Sequence, residues 1–173
     1  MPFFTPDRIY GRFSELDPAA LYAEGIRVLL LDMDNTLIPY EESEPNEEVL
    51  AFLSSLKAHG IAAALVTNNH KKRLKKFNAA LGLPAYANSL KPLPHNLLRA
   101  MRKLGAGRKE TALLGDQLLT DMFAARFAGI RSFIVSPIND KKTWIVRMKR
   151  KIERPLVRRY YKRIEKQKEI KHD

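Results

Sequence analysis

Four apolar residues, Val28-Leu29-Leu30-Leu31, run without a break into Asp32-Met33-Asp34-Asn35-Thr36. A short apolar run of this kind reads as a strand buried on both faces, the habit of a parallel sheet covered by helices. The two acids then fall at the strand's carboxyl end. Backbone carbonyls, the N–H groups of the next loop and both carboxylates can converge there, a geometry that suits a magnesium ion and a phosphate. A carboxylate can also serve as the covalent nucleophile in phosphoryl transfer. Taken alone, Asp-x-Asp-Asn after a strand is equally well a simple turn, so the rest of the chain has to decide.

The same pattern recurs along the chain. Apolar runs at Arg27–Leu31, Ile61–Val66, Pro84–Ala87, Thr111–Leu114 and Ser132–Val135 predict five strands. Between them, Pro45–His59, His70–Leu81, Pro94–Leu104 and Leu119–Ala128 carry apolar residues at three- and four-residue spacing and predict helices. Strands alternating with helices over short loops predict an α/β fold, a three-layer sandwich with a central parallel sheet. In such sheets ligands bind outside the carboxyl ends of the strands. The polar residues fall there: Asp32 and Asp34, then Thr67 and Asn68, then Lys91, then Asp116 with Asp121 five residues on. Three acids meeting at one place repel each other unless a cation is present, which is a physical reason to expect Mg²⁺.

These residues carry a family resemblance. Asp32-x-Asp34-x-Thr36, Thr67, Lys91 and Gly115-Asp116 with Asp121 match, in order, the four motifs of the haloacid dehalogenase (HAD) superfamily. The spellings Asp32-Met-Asp-Asn-Thr-Leu, Val66-Thr-Asn-Asn, Lys91-Pro92 and Gly115-Asp-Gln-Leu-Leu-Thr-Asp121 resemble subclass IIIA, the YqeG-type phosphatases, a group that includes phosphatidylglycerophosphate phosphatases. The basic stretch Lys151–Arg159 is similar to that family's ending. The resemblance implies a HAD-like Rossmannoid core and a Mg²⁺-dependent phosphatase. Asp32 would be the nucleophile and form an aspartyl-phosphate, and Asp34 the acid/base. Thr67 and Asn68 would bind the phosphoryl group, and Lys91 would offset its charge. The metal would be held by Asp32, Asp116 and the backbone carbonyl of Asp34, with Thr36 and Asp121 in support. Asn35 departs from the glycine common at its position in the superfamily but is compatible with subclass IIIA. Asn69 and His70 have no required role.

Thr36 to Thr67 leaves room for one loop and one helix, and Thr67 to Lys91 for one helix and a short strand. Neither gap can hold a cap domain, and Leu37–Glu44 could form only a small flap. Capless relatives tend to act on phosphates attached to something large.

Charge divides the chain. Residues 1–140 hold 17 basic and 15 acidic side chains, a net of +2, whereas 141–173 hold 14 and 4, a net of +10. We therefore expect a phosphatase core over 1–140 and a basic helical extension over 141–173, with 141–152 packed on the core. Leu156, Tyr160 and Ile164 form an apolar stripe among arginines and lysines, which suits peripheral association with an anionic membrane. RNA or ribosome binding fits the same charge, as does a solvated tail. The expected substrate is a lipid phosphate, phosphatidylglycerophosphate first, with a soluble nucleotide or sugar phosphate as the other enzymatic reading. The chain contains no cysteine, which excludes disulfides, thiolate zinc sites and cysteine nucleophiles. No run approaches the ~18 apolar residues of a membrane span, and no secretory signal is visible, so a cytoplasmic location is expected.

Overall fold

The computed structural model of the chain describes residues 4–139, 155 and 158–162. Six strands form one parallel sheet: β1 (Arg8–Tyr10), β2 (Val28–Leu31), β3 (Ala62–Val66), β4 (Ala85–Tyr86), β5 (Thr111–Gly115) and β6 (Arg131–Val135). Their spatial order is β1-β6-β5-β2-β3-β4, every neighbouring pair being parallel. The helices are α1 (Pro18–Ala23), α2 (Glu47–Ala58), α3 (Lys71–Asn78), α4 (His95–Leu104) and α5 (Phe123–Ala128). This is the expected Rossmann-like three-layer arrangement. Only α2 and β3 lie between Thr36 and Thr67, and only α3 and β4 between Thr67 and Lys91, so no cap domain interrupts the fold.

Alternation along β2 explains why its run is apolar throughout. Leu29 and Leu31 enter one core with Phe52, Leu56, Leu74 and Phe77. Val28 and Leu30 enter the other with Leu97, Met101, Ala124 and Ala128. Successive strand residues point to opposite faces, so a strand covered on both sides must be apolar at every position. The central place of β2, between β5 and β3, puts Asp32 in the middle of the sheet's carboxyl edge.

Two N-terminal elements were not expected. β1 is three half-buried residues on the sheet edge, too short and too charged to show periodicity. α1 begins at a local start signal, Asp17 accepting from the Ala19 N–H with Pro18 in the first turn. The expected helix over Leu119–Ala128 divides into one π-turn, Leu118–Met122, followed by α5.

The expected packing of 141–152 lies outside the described residues, as do Leu156 and Ile164 of the apolar stripe. Tyr160, the stripe's central residue, is buried against the body, and its hydroxyl accepts from the Ile9 N–H at 3.1 Å on the free edge of β1. Arg158, Arg159, Tyr161 and Lys162 around it are exposed. Among the described residues no helix is long and apolar enough to cross a membrane.

Candidate active site

Asp32 is nearly fully buried at the end of β2, where its backbone N–H donates to the Leu114 carbonyl of β5. The next turn closes through the Asn35 N–H, which donates to the Ile38 carbonyl at 2.7 Å. Asn35 has φ 60°, a left-handed conformation that glycine and asparagine adopt far more readily than other residues. That is why asparagine can stand here in place of glycine. The turn brings Thr36 back beneath the acids, its hydroxyl within 3.5 Å of both Asp32 Oδ2 and Asp116 Oδ1.

Lys91 arrives from the other side of the sheet edge. The loop that carries it departs from ordinary backbone, with Asn88 at φ 48° and Leu90 at φ 52°. Asn68 clips this loop to the end of β3. Its side-chain oxygen accepts from the Lys91 N–H at 2.7 Å and its amide donates to the Lys91 carbonyl at 3.1 Å. The Asn68 side chain is thus committed to placing Lys91. The buried Lys91 ammonium sits 2.7 Å from Asp32 Oδ1 and 2.6 Å from Asp121 Oδ1. Asp121's other oxygen accepts from the Gln117 N–H at 3.0 Å. Gly115 leaves the space for it, since a Cβ there would overlap the Asp121 carboxylate. Thr67 is buried at the end of β3, its hydroxyl oxygen accepting from the Asn69 N–H at 3.1 Å, so its O–H remains free to donate.

Asp34 takes different partners. Its Oδ2 accepts from the Asn69 side-chain amide at 3.0 Å and its Oδ1 from Arg73 Nε at 2.7 Å. Arg73 also donates to the Glu42 carbonyl at 2.7 Å and lies 4.9 Å from the Tyr40 ring centroid. Above these groups is an open cleft of about 310 Å³, whose lining includes Asp32, Asp34, Thr67, Lys91 and Gln117.

A model of the haloacid dehalogenase-like hydrolases matches residues 11–129 of this chain. The chain belongs to that family. It is 28% identical over 155 residues to a Bacillus subtilis (strain 168) protein named "Probable phosphatase YqeG", the match spanning 90% of each chain. It is 29% identical over 101 residues to the pyrophosphatase PpaX of Halalkalibacterium halodurans, over 53% of this chain and 46% of that one. Among solved structures it resembles the cobalt-bound deoxy-D-mannose-octulosonate 8-phosphate phosphatase of Haemophilus influenzae, with TM-score 0.53 and 18% identity over 68% of this chain and 71% of that one. It also resembles a hydrolase assigned to subfamily III A of the HAD superfamily from Legionella pneumophila, with TM-score 0.52 and 20% identity over 70% and 71% of the two chains. Both structural likenesses concern the fold.

This HAD-like hydrolase is an enzyme, and its acids form a group able to hold a cation. Asp32, Asp116 and Asp121 offer carboxylate oxygens within 4.8 Å of one another. Burial, together with Asp121 and Asp34, lifts Asp32 to about 6 even though Lys91 opposes the rise. Burial, and then the charges of Asp32 and Asp121, push Asp116 well above the usual carboxylate range. The neighbouring carboxylates hold Lys91 charged, above its ordinary value, against the cost of burying it. With all four ionised, Asp32, Asp34, Asp116 and Asp121 against Lys91 and Arg73 leave two net negative charges. A divalent ion that prefers oxygen ligands fits this deficit. Asp121 spends one oxygen on Lys91 and the other on the Gln117 N–H, and Asp34 spends its carboxylate on Asn69 and Arg73. The carboxylates of Asp32 and Asp116 are less committed to protein donors than those of Asp121 and Asp34.

Arg73 and Tyr40 were not visible as site residues in the sequence, and Asn69 was assigned no role. In Lys71-Lys72-Arg73-Leu74-Lys75-Lys76 one arginine cannot be told from a solvated basic face. The usable signal was its position one turn after His70, whose ring accepts from the Arg73 N–H and caps α3.

Proposed function

We propose that this hydrolase is a Mg²⁺-dependent phosphomonoester phosphatase that works through an aspartyl-phosphate on Asp32. The observation that carries the reading is the Lys91 ammonium held between Asp32 and Asp121, beside a Thr67 hydroxyl free to donate. Asp32 attacks phosphorus while Asp34 gives a proton to the departing ester oxygen, so one P–O bond forms as another breaks. Water then attacks the phosphoryl group, Asp34 takes its proton, and inorganic phosphate leaves. Thr67 donates to a phosphoryl oxygen, and Lys91 offsets charge on the nucleophile and the phosphoryl group. Asp32, Asp116 and the Asp34 carbonyl would hold Mg²⁺, which would supply Lewis-acid stabilisation to the phosphoryl oxygens. The alignment with the Bacillus subtilis protein along 90% of both chains supports placement in subclass IIIA with the YqeG-type proteins.

The substrate we favour is a membrane lipid phosphate, with phosphatidylglycerophosphate first. The cleft is open, with no cap over it. Leu90 and Leu93, on the loop that carries Lys91, are 62% and 53% exposed, and Tyr40, which lines the cleft, is 45% exposed. Apolar side chains around an uncapped polar site suit a headgroup presented at a lipid surface. The exposed arginines and Lys162 of the C-terminal segment favour an anionic one. A phosphate-release screen with Mg²⁺ tests this, setting phosphatidylglycerophosphate in vesicles against nucleotides and sugar phosphates. Preference for the lipid by tenfold or more is expected; turnover confined to water-soluble esters would remove the lipid assignment.

A further inference from the structure

Between Tyr86, the last residue of β4, and Lys91 the backbone passes through two left-handed residues, Asn88 at φ 48° and Leu90 at φ 52°. Asparagine enters that region readily, whereas leucine does not. A residue held there persists only where its surroundings over-determine it. On one side the loop is tied to the end of β3. The Asn88 N–H donates to the Asn69 carbonyl at 2.9 Å and the Ser89 N–H to the Thr67 carbonyl at 3.0 Å.

On the other side it is tied to α4. Asn96, buried in the first turn of that helix, donates from its amide to Ser89 Oγ at 3.2 Å and to the Ala87 carbonyl at 3.4 Å. Its oxygen accepts from Arg99 at 3.5 Å. Ser89 is buried as well, and its hydroxyl donates onward to the Tyr86 carbonyl at 3.0 Å. A chain of hydrogen bonds thus runs from α4 through Asn96 and Ser89 into the loop that carries Lys91. Of the buried residues of α4, Asn96, Leu97, Ala100 and Met101, one is polar. Packing on the sheet would be served by an apolar side chain at 96. A buried amide is costly unless partners are supplied, and the partners of this amide nitrogen are the loop.

We infer that Asn96 and Ser89 are positioning residues for Lys91. They fix the loop from the α4 side, as Asn68 fixes the Lys91 peptide from the β3 side, so that the ammonium stands between Asp32 and Asp121. Lysine carries its charge on a flexible stem, and electrostatic help to a reacting phosphoryl group depends on that charge being in place beforehand. The inference rests on the proposed role of Lys91.

Asn96→Leu and Ser89→Ala test it on the Mg²⁺-loaded full chain, the serine variant carrying the test if the leucine variant fails to fold. On p-nitrophenyl phosphate, Asn96→Leu should lower kcat about tenfold with KM within about twofold, and Ser89→Ala should lower kcat about threefold. In a Lys91→Ala background either substitution should change kcat by less than about twofold, because a residue that acts through Lys91 has nothing left to position. The ¹⁵N-detected ammonium signal of Lys91, identified by its loss in Lys91→Arg, reads placement without turnover. Its proton exchange with water should be about fivefold faster or more in both variants. A loss of kcat that keeps its full size in the Lys91→Ala background, or an ammonium signal unchanged in both variants, would overturn the inference. Faster exchange in the variants, with Lys91→Ala turning over like wild type, would support the positioning role while removing Lys91 from the reaction. An inactive Lys91→Ala beside unchanged ammonium signals would leave the reaction standing and remove the role of Asn96 and Ser89.

Discussion

Arg73 Nε donates to Asp34 Oδ1 at 2.7 Å, so the acid proposed to move protons is held by a guanidinium that also ties down the Glu42 carbonyl. The pair is largely buried, with side-chain exposures of 12% and 14%. One side chain therefore fixes both the aim of Asp34 and the loop beside the cleft. Arg73→Met removes both ties while keeping the bulk of the stem. We expect kcat to fall on the order of tenfold to hundredfold, with a smaller change in KM, because a misaimed proton donor slows chemistry more than binding. Steady-state kinetics on p-nitrophenyl phosphate check this, and unchanged kcat would separate Arg73 from the reaction.

Asp32→Asn should remove turnover altogether. The amide keeps the shape of the side chain but cannot attack phosphorus. Intact-mass measurement after rapid acid quench should show a phosphorylated species in wild type and none in the variant. A phosphorylated species that persists in the variant would place the nucleophile elsewhere.

The raised Asp32 group predicts how stability depends on pH. Its folded-state value is about 6 against an ordinary 3.8, so between these the folded protein keeps a proton that the unfolded chain has lost. Stability from this group is fully present below pH ~4 and is lost as pH rises through about 6. Asp116 shifts in the same direction. Mg²⁺ should restore what ionisation removes. Melting curves should show a larger rise in Tm on replacing EDTA with Mg²⁺ at pH 7.5 than at pH 5. An equal rise at both would contradict the link between ionised acids and metal.

Gly115→Ala tests the support beneath Lys91. The new methyl would overlap the Asp121 carboxylate, whose displacement loosens the Lys91 ammonium from its place beside Asp32. Overpacking of this kind costs about 1–3 kcal/mol. We expect a lowered Tm together with a loss of kcat of tenfold or more. A stable variant with normal kcat would show that Asp121 does not set the position of Lys91.

Removing residues 154–173 should weaken activity on anionic vesicles more than on p-nitrophenyl phosphate. It also takes away Tyr160, whose hydroxyl accepts from the Ile9 N–H, a bond worth about 1 kcal/mol. Tyr160→Phe controls for that loss. Equal losses on vesicles and on the soluble ester would leave the tail a structural role alone.

Much of this molecule was legible before its structure. Strands covered by helices on both faces must be continuously apolar, so the runs ending at Leu31, Val66 and Leu114 declared a parallel sheet. Ligands gather at the carboxyl edge of such a sheet, so Asp32, Thr67, Lys91 and Asp116 declared one site. Local chemistry set these features, and local chemistry is what a sequence displays. Tyr160 was legible as an apolar residue, but not that the edge of β1 would claim it, since β1 is too short to announce itself. The pairing of charges belonged to the tertiary structure alone. Lys91 meets Asp32 across 59 residues and Arg73 meets Asp34 across 39. Contacts so distant along the chain leave no periodic trace. The sequence thus determined the sheet and which polar groups stand at its carboxyl edge. Only folding decided that Asp34 would face Arg73 and that Lys91 would stand between Asp32 and Asp121, because those partners exist only once the strand ends have been brought together.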